Sequence, residues 1–394
     1  MKKIYLYIFC LIGCSDEIPS NLKIINQSRF PRLSSNANGE IFMSWFEQVD
    51  SINWSIRSSI YSRAKWSEPT VVSNSSSYFI NWADFPSLNY INKDTLVSHW
   101  LEKSGSGTYD YDVHLSFSFD KGKSWKSSQI PHSTKIKGEH GFSSFGLGRN
   151  IHDLVWLDGR QMIMDHNKGS YGQMNLYHTT FSSDGVLGKE YLIDEKVCEC
   201  CPTSAVRYKD TLVVAYRNRD DNEIRDIFIA RKVKDEWEEP YSVHKDNWKI
   251  AGCPVNGPML AINESNVVIA WYTAANESAQ IKVAFSRDVG ETFSNPIMID
   301  NTMPIGRVDI DWIDNENIIV SWIRASEKTS DIIIKVINIL NGEGKEFFVE
   351  SIPQGRISGY PQMEVVDNKA LFAWTEINEK TSVTTKWISL NQLQ

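Results

Sequence analysis

The stretch TLVSHWLEK, residues 95–103, alternates apolar and polar side chains as a half-buried β-strand does. Close relatives of it return along the chain: EIFMSWFEQ (40–48), HDLVWLDGR (152–160), TLVVAYRNR (211–219), NVVIAWYTA (266–274), NIIVSWIRA (317–325) and ALFAWTEIN (370–378). The aromatic residue of each falls at Trp45, Trp100, Trp156, Tyr216, Trp271, Trp322 and Trp374, a spacing of 51–60 residues. A period of that length, held throughout, marks a repeat architecture whose units bury their apolar faces against one another.

The surroundings of the repeated strand are also repeated. Ahead of it stands an opening segment that often carries proline, as in Arg29-Phe-Pro-Arg-Leu, Asp84-Phe-Pro-Ser-Leu, Cys201-Pro-Thr-Ser-Ala and Tyr360-Pro-Gln-Met, followed by a polar turn. Behind it come a third alternating strand and a fourth near KWSEPTVV, EWEEPYSV or TFSNPIMI. Four strands per unit predict an all-β protein, a β-propeller, because a parallel β-helix has far shorter repeats. Seven aromatic strands favour seven blades, with six as the alternative. The last unit, 360–394, has only three strands, so a strand near Asn21–Gln27 is expected to complete it and close the ring.

Charged residues make up 23% of the 394, hydrophobic residues 41% and aromatic residues 12%, including 14 tryptophans. This suits a globular chain with large rings between stacked sheets and argues against extensive disorder. The first residues, MKKIYLYIFCLIGC, join Lys2 and Lys3 to an apolar run too short to span a bilayer, which is the pattern of an export leader. Without its two lysines the formal charge moves from −8 to about −10. No basic run suggests nucleic acid, and no later segment is long and apolar enough to cross a membrane.

Ser118-x-Asp120-x-Gly122-x-Ser124-Trp125 and Ser286-x-Asp288-x-Gly290-x-Thr292-Phe293 share one pattern in the same phase of the repeat. Aspartate can accept from turn amides, glycine supplies positive φ, and the aromatic plugs the gap beside the next sheet. Through these turns and the opening Arg29-Phe-Pro, residues 28–394 resemble the sialidase superfamily of Asp-box (BNR) propellers. Leu11-Ile12-Gly13-Cys14 resembles the lipobox of bacterial lipoproteins. That second resemblance implies a signal peptide over 1–13, lipid on Cys14, a short tether over 14–20 and a single domain over 21–394, held at the cell envelope by lipid alone.

In a propeller the loop opening each blade and the loop after its second strand share one face. Eight of the fifteen arginines fall in those segments: Arg29, Arg160, Arg217, Arg219, Arg225, Arg307, Arg324 and Arg356. Guanidinium groups gathered on one mouth of an acidic protein suit planar anions. The plainer reading of RNRDDNEIRD is a solvated loop whose charges, Arg217 and Asp221 among them, pair with each other. The sialidase resemblance implies a carboxylate clamp of three arginines, for which Arg29, Arg307 and Arg356 are the candidates, with Arg219 nearby. It also implies a tyrosine nucleophile, Tyr360, and an aspartate acid, Asp50 or Asp84. No activating glutamate is identifiable; Glu223 only occupies a plausible loop.

VCECCPTSA and AGCPVNGP open the fourth and fifth units, which places Cys198, Cys200, Cys201 and Cys253 as neighbours on the same mouth. An even cysteine number in an exported chain predicts two disulfides. The alternative is a thiolate site for copper(I) or zinc, with His114, His140 or Met259 as further ligands. The expected protein is thus a monomeric, lipid-anchored, sialidase-like propeller that recognises an anionic glycan and hydrolyses it if the clamp and tyrosine are assembled, with no cofactor. A non-catalytic propeller binding glycan or protein is the second expectation, and a metal-binding surface lipoprotein the third.

Overall fold

A computed structural model of the protein describes residues 18–24, 26–166 and 172–393, so the leader and Cys14 lie outside the described residues. The chain is a seven-bladed β-propeller. The inner strands are Ser28–Ser35, Ser87–Tyr90, His140–Gly146, Ser204–Tyr208, Met259–Asn263, Pro304–Trp312 and Gln362–Val366. Each pairs antiparallel with one of the repeated strands, Ile41–Gln48, Leu96–Lys103, Ile151–Asp158, Thr211–Arg217, Asn266–Thr273, Asn317–Ala325 and Lys369–Ile377. In the second blade the outermost strand is reduced to a bridge between Leu115 and Gln129.

The seven aromatics of the repeat are all buried. The repeated strands are not half-buried as their alternation predicts: Leu96 to Leu101 are buried without interruption. Blades stand face to face around the ring, so the second strand meets a neighbouring sheet on both sides. Some of its polar side chains find partners inside, as where the Ser44 hydroxyl donates to the Pro86 carbonyl at 2.8 Å. Buried indoles likewise need partners. Trp156 donates to Asp158 at 2.9 Å, Trp271 to Asp246 at 2.8 Å and Trp322 to Asp300 at 2.6 Å.

Closure occurs where expected. Lys23–Ile24 pairs antiparallel with Thr381–Ser389, Lys23 opposite Thr384 and Ile24 opposite Val383. The Leu22 amide donates to Thr385 Oγ1 at 2.7 Å and the Thr385 amide to the Leu22 carbonyl at 2.9 Å. The seventh blade therefore takes its outer strand from the other end of the chain, which ties the two ends of the ring together.

The two S-x-D-x-G turns have the same internal wiring. Ser118 Oγ donates to Asp120 Oδ1, which also accepts the Ser124 amide, while the Gly122 amide donates to Ser118 Oγ, all at 2.8–2.9 Å. Ser286, Asp288, Gly290 and Thr292 repeat every one of these bonds. Gly122 and Gly290 have φ of 80° and 75°, which a β-carbon would oppose. Both turns join third to fourth strands, on the face opposite the opening loops, so they hold the blades and leave the mouth to other residues.

No described helix is long and apolar enough to cross a membrane.

Candidate functional site

Three of the inner strands begin with the same irregularity. Their pairing register breaks between Arg29 and Arg32, between Gly141 and Ser144, and between Gly306 and Asp309. The residue two positions before pairing resumes has positive φ in each: Phe30 at 55°, Phe142 at 52° and Arg307 at 53°. A bulge of this kind re-aims the side chain it carries. Phe30 and Phe142 enter the apolar cluster under the mouth. Arg307, in the equivalent slot, puts a guanidinium there instead.

That guanidinium lies 4.7 Å from the ring centroid of Trp82 and 5.9 Å from that of Tyr360, and the two rings stack at 5.8 Å. Arg356, exposed on the loop that opens the seventh blade, approaches the Trp82 ring to 5.8 Å. Arg307 is held by its own donors, Nη1 to the Gly359 carbonyl at 2.7 Å and Nη2 to the Gly355 carbonyl at 3.2 Å. The structure thus brings Arg307, Arg356 and Tyr360 together on an aromatic plate, Trp82, that sequence reasoning passed over because it lies in no repeated motif.

Arg29 goes elsewhere. One position before the bulged residue, it lies over Trp54 at 4.4 Å. Arg307 corresponds to Phe30, not to Arg29, so the expected three-arginine convergence lacks its first member. Arg29 and the other two nevertheless share a property. Among the described residues none of the three has a carboxylate partner, whereas Arg160 pairs with Asp158 and Glu190, and Arg324 with Asp300 and Glu346. Arg219 is spent on Glu199 and Glu223, and Arg225 on the same two carboxylates. Arg219 is thus engaged by two carboxylates, and Glu223 pairs with Arg219 and Arg225.

The reading of Arg217 as a solvated charge paired with Asp221 is corrected as well. Asp221 pairs with Lys196 at 2.5 Å. Arg217 is 2% exposed and donates to the carbonyls of Asn256, Arg225 and Tyr272 at 2.6–3.0 Å. It is a buried cation tying three loops together.

Tyr360 is buried, and its hydroxyl donates to the Val255 carbonyl. Burial pushes this phenol far above its usual range, followed by the thiols of Cys201 and Cys200 close by. Among the described residues no carboxylate is bonded to this hydroxyl to activate it as a nucleophile. Asp50 sits in an exposed turn, accepting the Ile52 and Asn53 amides at 2.9 and 2.8 Å. The Asn53 side chain and those amides hold it below the usual carboxylate range, which opposes a role as acid. Asp84 is buried, accepts the Phe142 amide, and lies 3.9 Å from His99 Nε2.

Below the mouth a channel of about 420 Å³ runs between the inner strands, lined by Arg32, Asp309, Asp311, Gln362 and Glu364 among others. Burial pushes Asp309 up to about 7 and Asp311 to about 6. Farther out, His132 and His140 stack at 4.0 Å around Asp112, and His140 Nε2 lies 3.5 Å from Asp158. Burial works against the charged ring of His140, but its hydrogen bonds to Asp112 and Asp158 win and push it up to about 9.

The cysteines converge as expected but do not form disulfides. All four are free thiols. The Sγ atoms of Cys198, Cys200 and Cys201 lie within 4.8 Å of one another, Cys198 and Cys201 at 3.4 Å, and the Cys253 thiol is beside that of Cys200. Arg225 Nη1 donates to Cys198 Sγ at 3.2 Å. Hydrogen bonds from Cys200 and Cys201, with the charge of Arg217 behind them, hold Cys198 well below the usual thiol range. His140 is engaged with Asp112 and Asp158, His114 shares a hydrogen bond with Ser128 at 2.9 Å, and Met259 Sδ accepts from Ser204 at 3.5 Å. The further ligands suggested by sequence are committed to these partners.

Fold and site together define a seven-bladed propeller with an arginine–tryptophan plate and a four-thiol cluster on one mouth. It is similar to the polysaccharide lyase Uly1, at 12% identity over 91% of this chain and 89% of that one, with a TM-score of 0.52. It is also similar to the Hadza microbial sialidase Hz136, at 14% identity over 88% of this chain and 75% of that one, with a TM-score of 0.51. At such identities the likeness is one of fold. No family model matches the sequence, and no curated protein matches it.

Proposed function

We propose that the protein is a carbohydrate-recognising propeller that binds a carboxylated, sialic-acid-type glycan at the Trp82 plate. The observation that carries this reading is the sorting of the mouth arginines: charge partners claim Arg160, Arg219, Arg225 and Arg324, while Arg307 and Arg356 flank Trp82 without a carboxylate partner among the described residues. A sugar ring stacks on an indole face, and guanidinium groups beside it receive a carboxylate in a planar fork. Arg29, over Trp54, is not part of this plate. The same scaffold serves a polysaccharide lyase and a sialidase.

Retaining hydrolysis would ask more of the site. Tyr360 would have to leave the Val255 carbonyl and meet a carboxylate base, with Asp84 or Asp50 delivering the proton. Recognition without turnover is the reading this geometry favours. In the same proposal the leader is removed before Cys14, and lipid there holds the propeller at the bacterial envelope, as a monomer.

A fluorogenic α-sialoside and free carboxylated oligosaccharides, offered to the purified protein and to its Tyr360→Phe and Arg356→Ala variants, test the reading. Saturable binding without turnover, lost in Arg356→Ala and kept in Tyr360→Phe, is expected. Turnover abolished by Tyr360→Phe would replace it with a sialidase mechanism, and the absence of both binding and turnover would remove it.

A further inference from the structure

We propose that Cys198, Cys200, Cys201 and Cys253 form a thiolate site for one soft, thiophilic d10 ion of the copper(I) and zinc(II) class. Three sulfurs already lie within 4.8 Å of one another, and the fourth lies beside Cys200. An ion bound by thiolates at about 2.3 Å in a tetrahedron sets its sulfurs about 3.8 Å apart, close to the spacing at which Cys198, Cys200 and Cys201 already stand. The 3.4 Å between Cys198 and Cys201 Sγ is a thiol contact near that spacing and well beyond the bonded distance of about 2.05 Å.

The backbone is built to hold these two loops together. A β-carbon on Gly257 would come within 1.9 Å of the Pro202 carbonyl oxygen, so the loop carrying Cys253 lies directly on the loop carrying Cys198, Cys200 and Cys201. Asn256 fixes it from the other side, its Oδ1 accepting the Arg307 amide at 2.8 Å and its Nδ2 donating to the Ile305 carbonyl at 3.0 Å.

Charge supplies a second, independent argument. Glu199 and Glu223 balance Arg219 and Arg225, whereas Arg217 is buried among carbonyls with no ion pair among the described residues, the charge of Asp226 reaching it only from beyond salt-bridge distance. A buried cation in that state is costly unless an anion lies close. A metal–thiolate cluster is net negative once thiolates outnumber the ion's charge, and Arg217 and Arg225 both face it. Sulfur donors without an available imidazole or carboxylate select soft ions over calcium or magnesium. Cys200 and Cys201 also lie beside Tyr360, so the bound ion would stiffen the loops around the plate.

The test uses the full-length protein purified anaerobically with reductant, stripped of metal and titrated with cobalt(II) as a spectroscopic probe, then with zinc(II) and with copper(I) against a competing chelator. Thiolate-to-cobalt charge-transfer absorption saturating at about one ion per chain is expected, displaced by whichever natural ion binds more tightly. Cys253→Ser, altered on an exposed position, should melt like the parent yet bind at least about tenfold more weakly. Absence of cobalt absorption in the reduced protein would overturn the proposal. So would mass spectra of the unreduced, metal-free protein showing both cysteine pairs as disulfides, or unchanged affinity in both Cys253→Ser and Cys200→Ser.

Discussion

The Arg307 guanidinium rests 4.7 Å above the ring of Trp82, although the two residues open the sixth and second blades. The contact spans the propeller mouth because the bulge at Gly306–Arg307 turns the arginine inward, where the first and third blades place Phe30 and Phe142. It makes the plate a joint product of separate loops.

Trp82→Ala removes the surface shared by Arg307, Arg356 and Tyr360. Binding of a carboxylated glycan should weaken about 10- to 100-fold, as for other central aromatic anchors. Isothermal titration with the variant and with Arg307→Lys, which keeps charge but loses the planar fork, checks whether stacking or bidentate geometry dominates.

Asp309 makes stability depend on pH. Burial raises its folded value to about 7, well above the unfolded one, so the native state holds a proton that the unfolded chain has lost. Its contribution is therefore complete below the unfolded value near pH 4 and disappears as pH rises through about 7. Relative to the parent, Asp309→Asn should gain stability between pH 5 and 8, on the order of 2–4 kcal/mol, measured by urea unfolding at both values. Equal differences at the two pH values would show that Asp309 is already ionised at pH 5.

Gly257 tests the close approach of the two cysteine loops. Alanine there must push the Pro202 carbonyl away, at a cost of about 1–3 kcal/mol. A lower melting temperature together with faster alkylation of Cys200 is expected, because the loop that shields it has moved.

Removing residues 21–24 takes away the outer strand of the seventh blade and exposes Thr381–Ser389 as an open edge. Loss of these ladder bonds, each worth about 1 kcal/mol, should lower the melting temperature, and the free edge should promote association visible by size-exclusion chromatography.

The sequence by itself determined the propeller. Seven aromatics at a near-constant spacing can only be buried by stacking sheets, and a last unit with three strands had to borrow a fourth. The two S-x-D-x-G turns were legible too, since their bonds run between residues two to four apart. Cysteine proximity followed from repeat phase alone, but the state of the sulfurs did not, because pairing depends on side-chain directions that phase leaves open. Tertiary structure alone decided the mouth. A bulge shifts facing by one residue, so Arg29 and Arg307 look alike in sequence yet point to different rings. Which arginines stay available to a ligand depends on carboxylates brought from other strands and loops, as Glu190 is to Arg160 and Glu346 to Arg324. Local pattern fixes backbone elements because their forces act over a few residues; the charge balance of a site is set by neighbours that only the closed ring brings together.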